Sequence, residues 1–377
     1  MYSITLKEFN RILFCSILVC VVLYFGQKVI IPIAFAAFFA MLFTPMSNTL
    51  EKHKFKRWLT ALLSIIITLA VGTAIVLLVF FQGKDFAKEF PKMEEKSKKM
   101  IKDGEMYIAV KYNVPIEKQE EVITKQLKSL SESSGSFIKK SFMGIADFFA
   151  AFVLVIIFMF LFLFQREKYE SFFLKLTKNT PTENTKKMLE EIIKVSQHYL
   201  RGRIFSIIIF TFCFTVGFLI VGLKNAFLLA FIAALLTIVP YIGSIIGGLF
   251  PFAVALVTED SNSAAFGALA VILVVQGIDN YFIEPYIIGG AVNVSAFFTI
   301  LILFVGGILW GVAGMILFIP MLGVFKIICD HVPALNPYGF LIGDQKEIKG
   351  ESKFKKWLKK KFGGKNAANP RVNQSAA

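Results

Sequence analysis

Charge is scarce in this chain: 18% of its 377 residues are Asp, Glu, Lys or Arg, while 56% are hydrophobic. Ordinary soluble domains carry about 25% charged residues, and they rarely hold uncharged runs as long as those found here. Histidine occurs three times, as His53, His198 and His331. With no HExxH or other ligand spacing among them, no metal site is expected. Cysteine is equally sparse. Cys15, Cys20, Cys213 and Cys329 lie in or beside apolar runs without the pairing of a zinc site or disulfide framework, and read as small apolar residues. No glycine-rich loop runs into Lys-Ser/Thr, which argues against ATP-driven pumping by this chain, and neither GxSG-like nor paired-Asp motifs suggest an intramembrane protease. The chain is expected to be no enzyme and to carry no cofactor.

What is abundant is apolar surface, including 42 phenylalanines. Crossing a bilayer takes roughly 18–20 apolar residues. Segments at about 9–26, 29–47, 58–82, 146–165, 203–222, 225–257, 264–283 and 294–328 qualify. The fold class expected is an all-α polytopic membrane protein with about eight hydrophobic segments. The first run has no small-residue cleavage site and leads at once into a second, so it reads as a retained span rather than a signal peptide.

Lysine and arginine in short loops set the sides. EKHKFKR (51–57) holds four, and the stretch Arg166 to Arg203 holds nine. The turns between spans one and two, and between five and six, hold only Lys28 and Lys224. The tail from Lys346 to Lys365 is strongly basic. Both termini are therefore expected in the cytoplasm, with an even number of crossings. The loop from Gly83 to Lys140 holds thirteen lysines and ten acids. A segment so long is translocated largely regardless of charge, and its sparse apolar positions suggest a helical subdomain with a solvated charged face. The chain thus divides into N-terminal spans (1–82), an extracytoplasmic helical subdomain (83–145), a core of broken segments (146–330) and a basic cytoplasmic tail (331–377). ESKFKKWLKKKFGG (351–364) spaces Phe354, Trp357, Leu358 and Phe362 as a basic amphipathic helix, suited to anionic membrane lipids. Base-reading groups are not evident, so the net charge of +15 carries no inference towards nucleic acid.

Two apolar segments are too long. A straight helix over 225–257 runs about 48 Å, beyond the ~30 Å hydrocarbon core. It contains TIVPYIGSIIGGLFPF, with Pro240, Gly243, Gly247, Gly248 and Pro251. The segment 294–328 repeats the pattern with Gly306, Gly307, Gly311, Gly314 and Pro320. Broken backbone at membrane depth persists only where protein or a water-lined cavity satisfies it, and paired interruptions point to a transporter's central site. Gly243, Gly247 and Gly248 also fit a close helix-packing role, which leaves Pro240 and Pro251 unexplained. The connection TEDSNS (258–263) holds two acids and no lysine or arginine. That favours a re-entrant hairpin turning at PYIGS over a single kinked crossing, which stays open.

Between the broken segments lies VVQGIDNYFIEPYIIGG (274–290). On an α-helix Gln276, Asp279, Asn280 and Glu284 share one face. Ionisable groups inside membrane segments are rare and face cavities or partners, and a buried carboxylate there can carry a proton. Glu284, next to Pro285, equally fits a helix end at the interface.

VPYIGSIIGGLFP (239–251), QGIDNYFIEPYIIGG (276–290) and GGILWGVAGMILFIP (306–320) resemble the three signature blocks of the autoinducer-2 exporter family of bacterial permeases. The resemblance covers roughly residues 5–330 and includes the HYLRGR stretch (198–203). It implies a bacterial cytoplasmic (inner) membrane secondary transporter with about eight segments, assembled as a homo-oligomer, a pentamer by the resemblance. Some members export the quorum-sensing signal autoinducer-2, and others resemble sodium or lithium/proton antiporters. Carried over by position, the implied pathway residues are Pro240, Tyr241, Gly243, Pro251, Gln276, Asp279, Asn280, Pro285, Gly289, Gly306, Gly307, Gly311, Gly314 and Pro320. Glu284 and Tyr286 stand where glutamine and a basic residue are common, and a carboxylate at 284 would suit Na+ or H+. The expected function is ion-coupled export of a small polar solute by alternating access. Alternatives are sodium(lithium)/proton antiport through Asp279 or Glu284, and a membrane scaffold that binds a partner through 83–145.

Overall fold

The computed structural model describes residues 6–87, 147–177, 181–259, 262–288 and 293–344, together with Glu95, Lys96, Lys99, Lys102, Met106 and Lys111. Most of the subdomain expected at 83–145, the basic helix at 351–364 and Gly289 lie outside these residues. The described chain is helical: α1 (Leu6–Phe25), α2 (Gln27–Lys52), α3 (Arg57–Ala87), α4 (Asp147–Phe164), α5 (Arg166–Leu176), α6 (Thr182–Val221), α7 (Ala226–Leu236), α8 (Ile242–Thr258), α9 (Asn262–Ile278), α10 (Ala296–His331) and α11 (Asn336–Ile342). A π-helical stretch, Asp279–Ile288, continues α9. Six of these helices, α9 counted with the start of that stretch, are long and apolar enough to cross a membrane. The protein is an all-α polytopic membrane protein.

Two ends of the bundle are recognisable by their polar ties. At the first, Glu51 pairs with Arg166 and lies 3.8 Å from Arg57 Nε, while Arg57 also donates to Glu167. These contacts bind the basic 51–57 loop to the start of α5. From this region α6 runs 40 residues, about 60 Å, so the apolar run at 203–222 is only its second half. Gly222, at φ +86°, stops α6 at the other end in a left-handed conformation that glycine adopts without strain.

The segment 225–257 folds back. A Cβ on Gly243 would lie 1.8 Å from Leu236 O, and one on Gly247 2.7 Å from Ala233 O. As the number rises along α8 it falls along α7, so the two arms are antiparallel and touch through bare glycine. The open end of this hairpin closes where the Lys224 backbone N–H donates to Glu259 Oε1 at 3.1 Å. Lys96 also donates to the Glu259 carbonyl there. The acid in TEDSNS that marks the turn-back thus also fastens it. Small α7 residues (Ala226, Ala230, Ala233 and Ala234) let the hairpin press against a row of Phe210, Phe214 and Phe218 on α6, the last two rings stacked.

The second long segment also doubles back, at Gly311 (φ +60°, ψ −139°). Gly306 and Gly314 face each other so closely that a Cβ on Gly314 would lie 2.0 Å from Gly306 O. Leu303 shares a cluster with Ile319. Both pairs are nearly symmetric about 311, as an antiparallel hairpin requires. Its open end is closed by Ser295 N–H donating to the Ile342 carbonyl (2.9 Å), and His331 Nε2 lies 3.8 Å from Glu191 Oε2 in the part of α6 nearest the first end of the bundle. Its tip is held at the far end of α1, where Trp310 Nε1 donates to the Leu23 carbonyl (2.9 Å). The two hairpins therefore enter the bundle from opposite ends.

Candidate functional site

The first hairpin turns within five residues, and each has a local cause. The last turn of α7 tightens as Ile238 and Val239 N–H bond to Leu235 and Leu236 carbonyls, an i to i−3 pattern. The Thr237 hydroxyl folds back onto the Ala234 carbonyl at 2.6 Å. Pro240 has no N–H with which to continue the helix. Tyr241 then takes φ +63°, ψ −63°, and Ile242 N–H reaches the Pro240 carbonyl at 2.7 Å. This is a γ-turn of the rare, strained kind, of the sort that costs about 1–3 kcal/mol and persists only when its surroundings impose it. One such constraint comes from α6. Arg203 donates Nε and an Nη to the Ile238 carbonyl at 3.3 and 3.1 Å. A cation thereby meets the negative end of the α7 dipole.

Around this tip lies a cavity of about 510 Å³, in the range of small-molecule sites. Tyr199 and Arg203 line it from α6, Pro240 and Tyr241 from the tip, and Ser244 and Gly248 from α8. Gln276, Asp279 and Asn280 close it from the α9 side. Thr299 and Ile319 bring in both arms of the second hairpin. Among the described residues, Asp279 and Arg203 give this mostly apolar space one carboxylate and one guanidinium.

Of the positions picked out from sequence, Pro240, Tyr241, Gln276, Asp279 and Asn280 meet at this cavity. Gly243, Gly306 and Gly314 do not line it; they close the hairpins. Pro251 and Pro320 are fully buried in their arms. Gly307 packs against Met315, and Gly311 makes the second turn. Glu284 and Pro285 fall in the π-helical stretch. There the i, i+3, i+4, i+8 face expected of an α-helix gives way after Ile278 to i to i+5 bonding, a geometry concentrated at functional sites. Pro285 supplies a reason: it lacks an N–H and its ring would clash with the carbonyl four residues back in an α-helix.

A sequence profile described as AI-2E family transporter matches residues 13–334. The chain belongs to the AI-2E transporter family. The Bacillus subtilis protein named "Putative transport protein YueF" is 26% identical over 214 residues, 56% of this chain and 57% of its own length. A Haemophilus influenzae protein named "Putative transport protein" is 21% identical over 327 residues, 86% of this chain and 92% of its own. YhhT of Escherichia coli K12, named likewise, is 22% identical over 320 residues, covering 84% and 89%. Membership of the AI-2E family makes this chain a membrane transporter. Arg203 and Tyr199 escaped the sequence reading as site residues, since HYLRGR served only as a family likeness and a positive-charge count. The available signal was an arginine at the mouth of a long apolar run.

Proposed function

We propose that this AI-2E family member is a secondary transporter that exports a small polar solute, of the kind typified by autoinducer-2, by ion-coupled alternating access. The observation that carries the reading is the convergence at one cavity of a strained hairpin tip, both arms of an oppositely inserted hairpin, and Asp279 beside two amides. Opposed hairpins suit a solute site reached from either face. The basic end that carries residues 51–57 faces the cytoplasm in this reading, which puts both termini inside a bacterial inner membrane. Apolar side chains on α1 and α3, such as Phe14, Phe25, Phe80 and Phe81, face lipid or further copies of a homo-oligomer, pentameric by the family resemblance. The chain acts without a cofactor and without chemistry on its solute.

The test is efflux of labelled solutes from proteoliposomes that hold the full chain under an imposed Na+ or pH gradient. Gradient-dependent flux should appear with the wild type and drop at least about tenfold in Asp279→Asn, as expected for losing a charge-assisted contact. Undiminished flux in the variant removes Asp279 from the mechanism. A second reading, sodium(lithium)/proton antiport, is favoured by a carboxylate in an otherwise mostly apolar cavity. Dye dequenching on Na+ or Li+ addition to everted vesicles separates the two, because a pure organic-solute exporter gives no cation response.

A further inference from the structure

Tyr199, Arg203 and Ser206 stand at i, i+4 and i+7, on one face of α6. Tyr199 is 3% exposed and lines the cavity, yet its hydroxyl has no hydrogen-bond partner among the described residues. A buried, unpartnered hydroxyl is uncommon because it has given up water without replacement. Arg203, its neighbour one turn on, spends two N–H groups on the Ile238 carbonyl. Among the described residues no carboxylate pairs with it. A carbonyl satisfies hydrogen bonds but leaves a unit charge uncompensated. From α6 the cavity therefore receives an O–H donor with no described partner and a positive charge, and Gln276, Asp279 and Asn280 add amide groups and a carboxylate to the same lining.

We propose that this pole is an anion-recognition subsite: the Tyr199 hydroxyl and the Arg203 guanidinium together hold a carboxylate or phosphate oxygen of the transported solute. A guanidinium presents several donors to such a group, and Tyr199 adds one at a fixed position. The class indicated is a compact solute that bears a carboxylate or phosphate group. This assignment rests on the transport reading of the cavity and sharpens it.

The test uses the full chain in detergent. Its melting midpoint is followed while acetate, glycine, inorganic phosphate or ethylene glycol is titrated at constant ionic strength against chloride. At least one of acetate, glycine and phosphate should raise the midpoint saturably, while ethylene glycol should not. Which of them succeeds separates carboxylate from phosphate recognition. Tyr199→Phe should melt like the wild type without probe, because the hydroxyl bonds to none of the described residues. It should nevertheless need about tenfold more probe for half-saturation, the loss expected for one hydrogen bond to a charged group. Arg203→Lys should keep part of the response and Arg203→Gln none. The proposal is overturned if no anionic probe gives a saturable shift, or if Tyr199→Phe titrates like the wild type. Flux separates the two readings: transport of a neutral polyol that is lost in Asp279→Asn but insensitive to Tyr199→Phe would sink the anion subsite and leave the transporter standing. Probe binding sensitive to Tyr199→Phe, with no flux of any solute, would do the reverse.

Discussion

Arginine shows how much a residue's meaning depends on depth. Arg57, Arg166 and Arg203 contribute equally to a count of basic residues, yet the first two meet Glu167 and Glu51 at the rim while Arg203 braces a backbone carbonyl inside the bundle. Composition could place all three at one end of the membrane. It could not say which would point inward, because that depends on a turn 35 residues further along the chain. The rim pair makes its own prediction. The hydrogen bond from Arg57, then its charge, holds the Glu167 carboxyl below its ordinary value of 4.5. Protons therefore bind the unfolded chain more readily, so the pair's contribution is present above about pH 4.5 and fades as pH falls through the lowered folded value. Melting midpoints measured across about pH 3 to 6 should show a smaller acid-side decline in Glu167→Gln than in the wild type. Identical profiles would mean the pair contributes nothing measurable, as many exposed pairs do.

At the scale of elements, the breaks at Pro240 and in the 306–320 segment were legible, and so was the polar stretch at 276–280. Whether each broken segment passes through or turns back was legible only through the acids of TEDSNS, which lean towards a hairpin in the first segment, since hydropathy is identical either way. The deciding facts are contacts that a straight helix could not make, such as Gly306 against Gly314 and Lys224 against Glu259. The π-helical stretch was hidden for a related reason: Pro285 announces that an α-helix cannot continue unchanged, but not what replaces it. The two glycine roles in the second hairpin separate cleanly by mutation. A Cβ on Gly311 would meet nothing within 4 Å, so Gly311→Ala bears only the cost of a backbone conformation that other residues rarely adopt, about 1–3 kcal/mol. A Cβ on Gly314 would strike Gly306 O at 2.0 Å, and backbone cannot swing aside. Gly314→Ala should therefore be the more damaging, with lower yield of monodisperse protein and a larger drop in melting midpoint. Equal effects would mean that the arms are not in close contact.

For the whole molecule, the consequence of two opposed hairpins is a particular sidedness. If 225–257 crossed the membrane once, residue 262 would lie on the opposite side from residue 224. As a hairpin it puts both at the end where Glu259 meets Lys224. The loop at 51–57 lies at the other end, with Glu51 and Arg57 tied to α5. Single cysteines introduced by Lys54→Cys, Lys224→Cys and Asn262→Cys, with the four native cysteines replaced, distinguish these arrangements through an impermeant maleimide. In intact cells positions 224 and 262 should label together, and position 54 only after permeabilisation. Labelling of 54 with 262 and not with 224 would replace the first hairpin with a kinked crossing. It would also reverse the direction of every later element, and so carry Thr299 and Ile319 away from the Arg203 and Asp279 walls. The cavity exists only if the hairpins enter from opposite ends, so this labelling pattern tests the site as well as the topology.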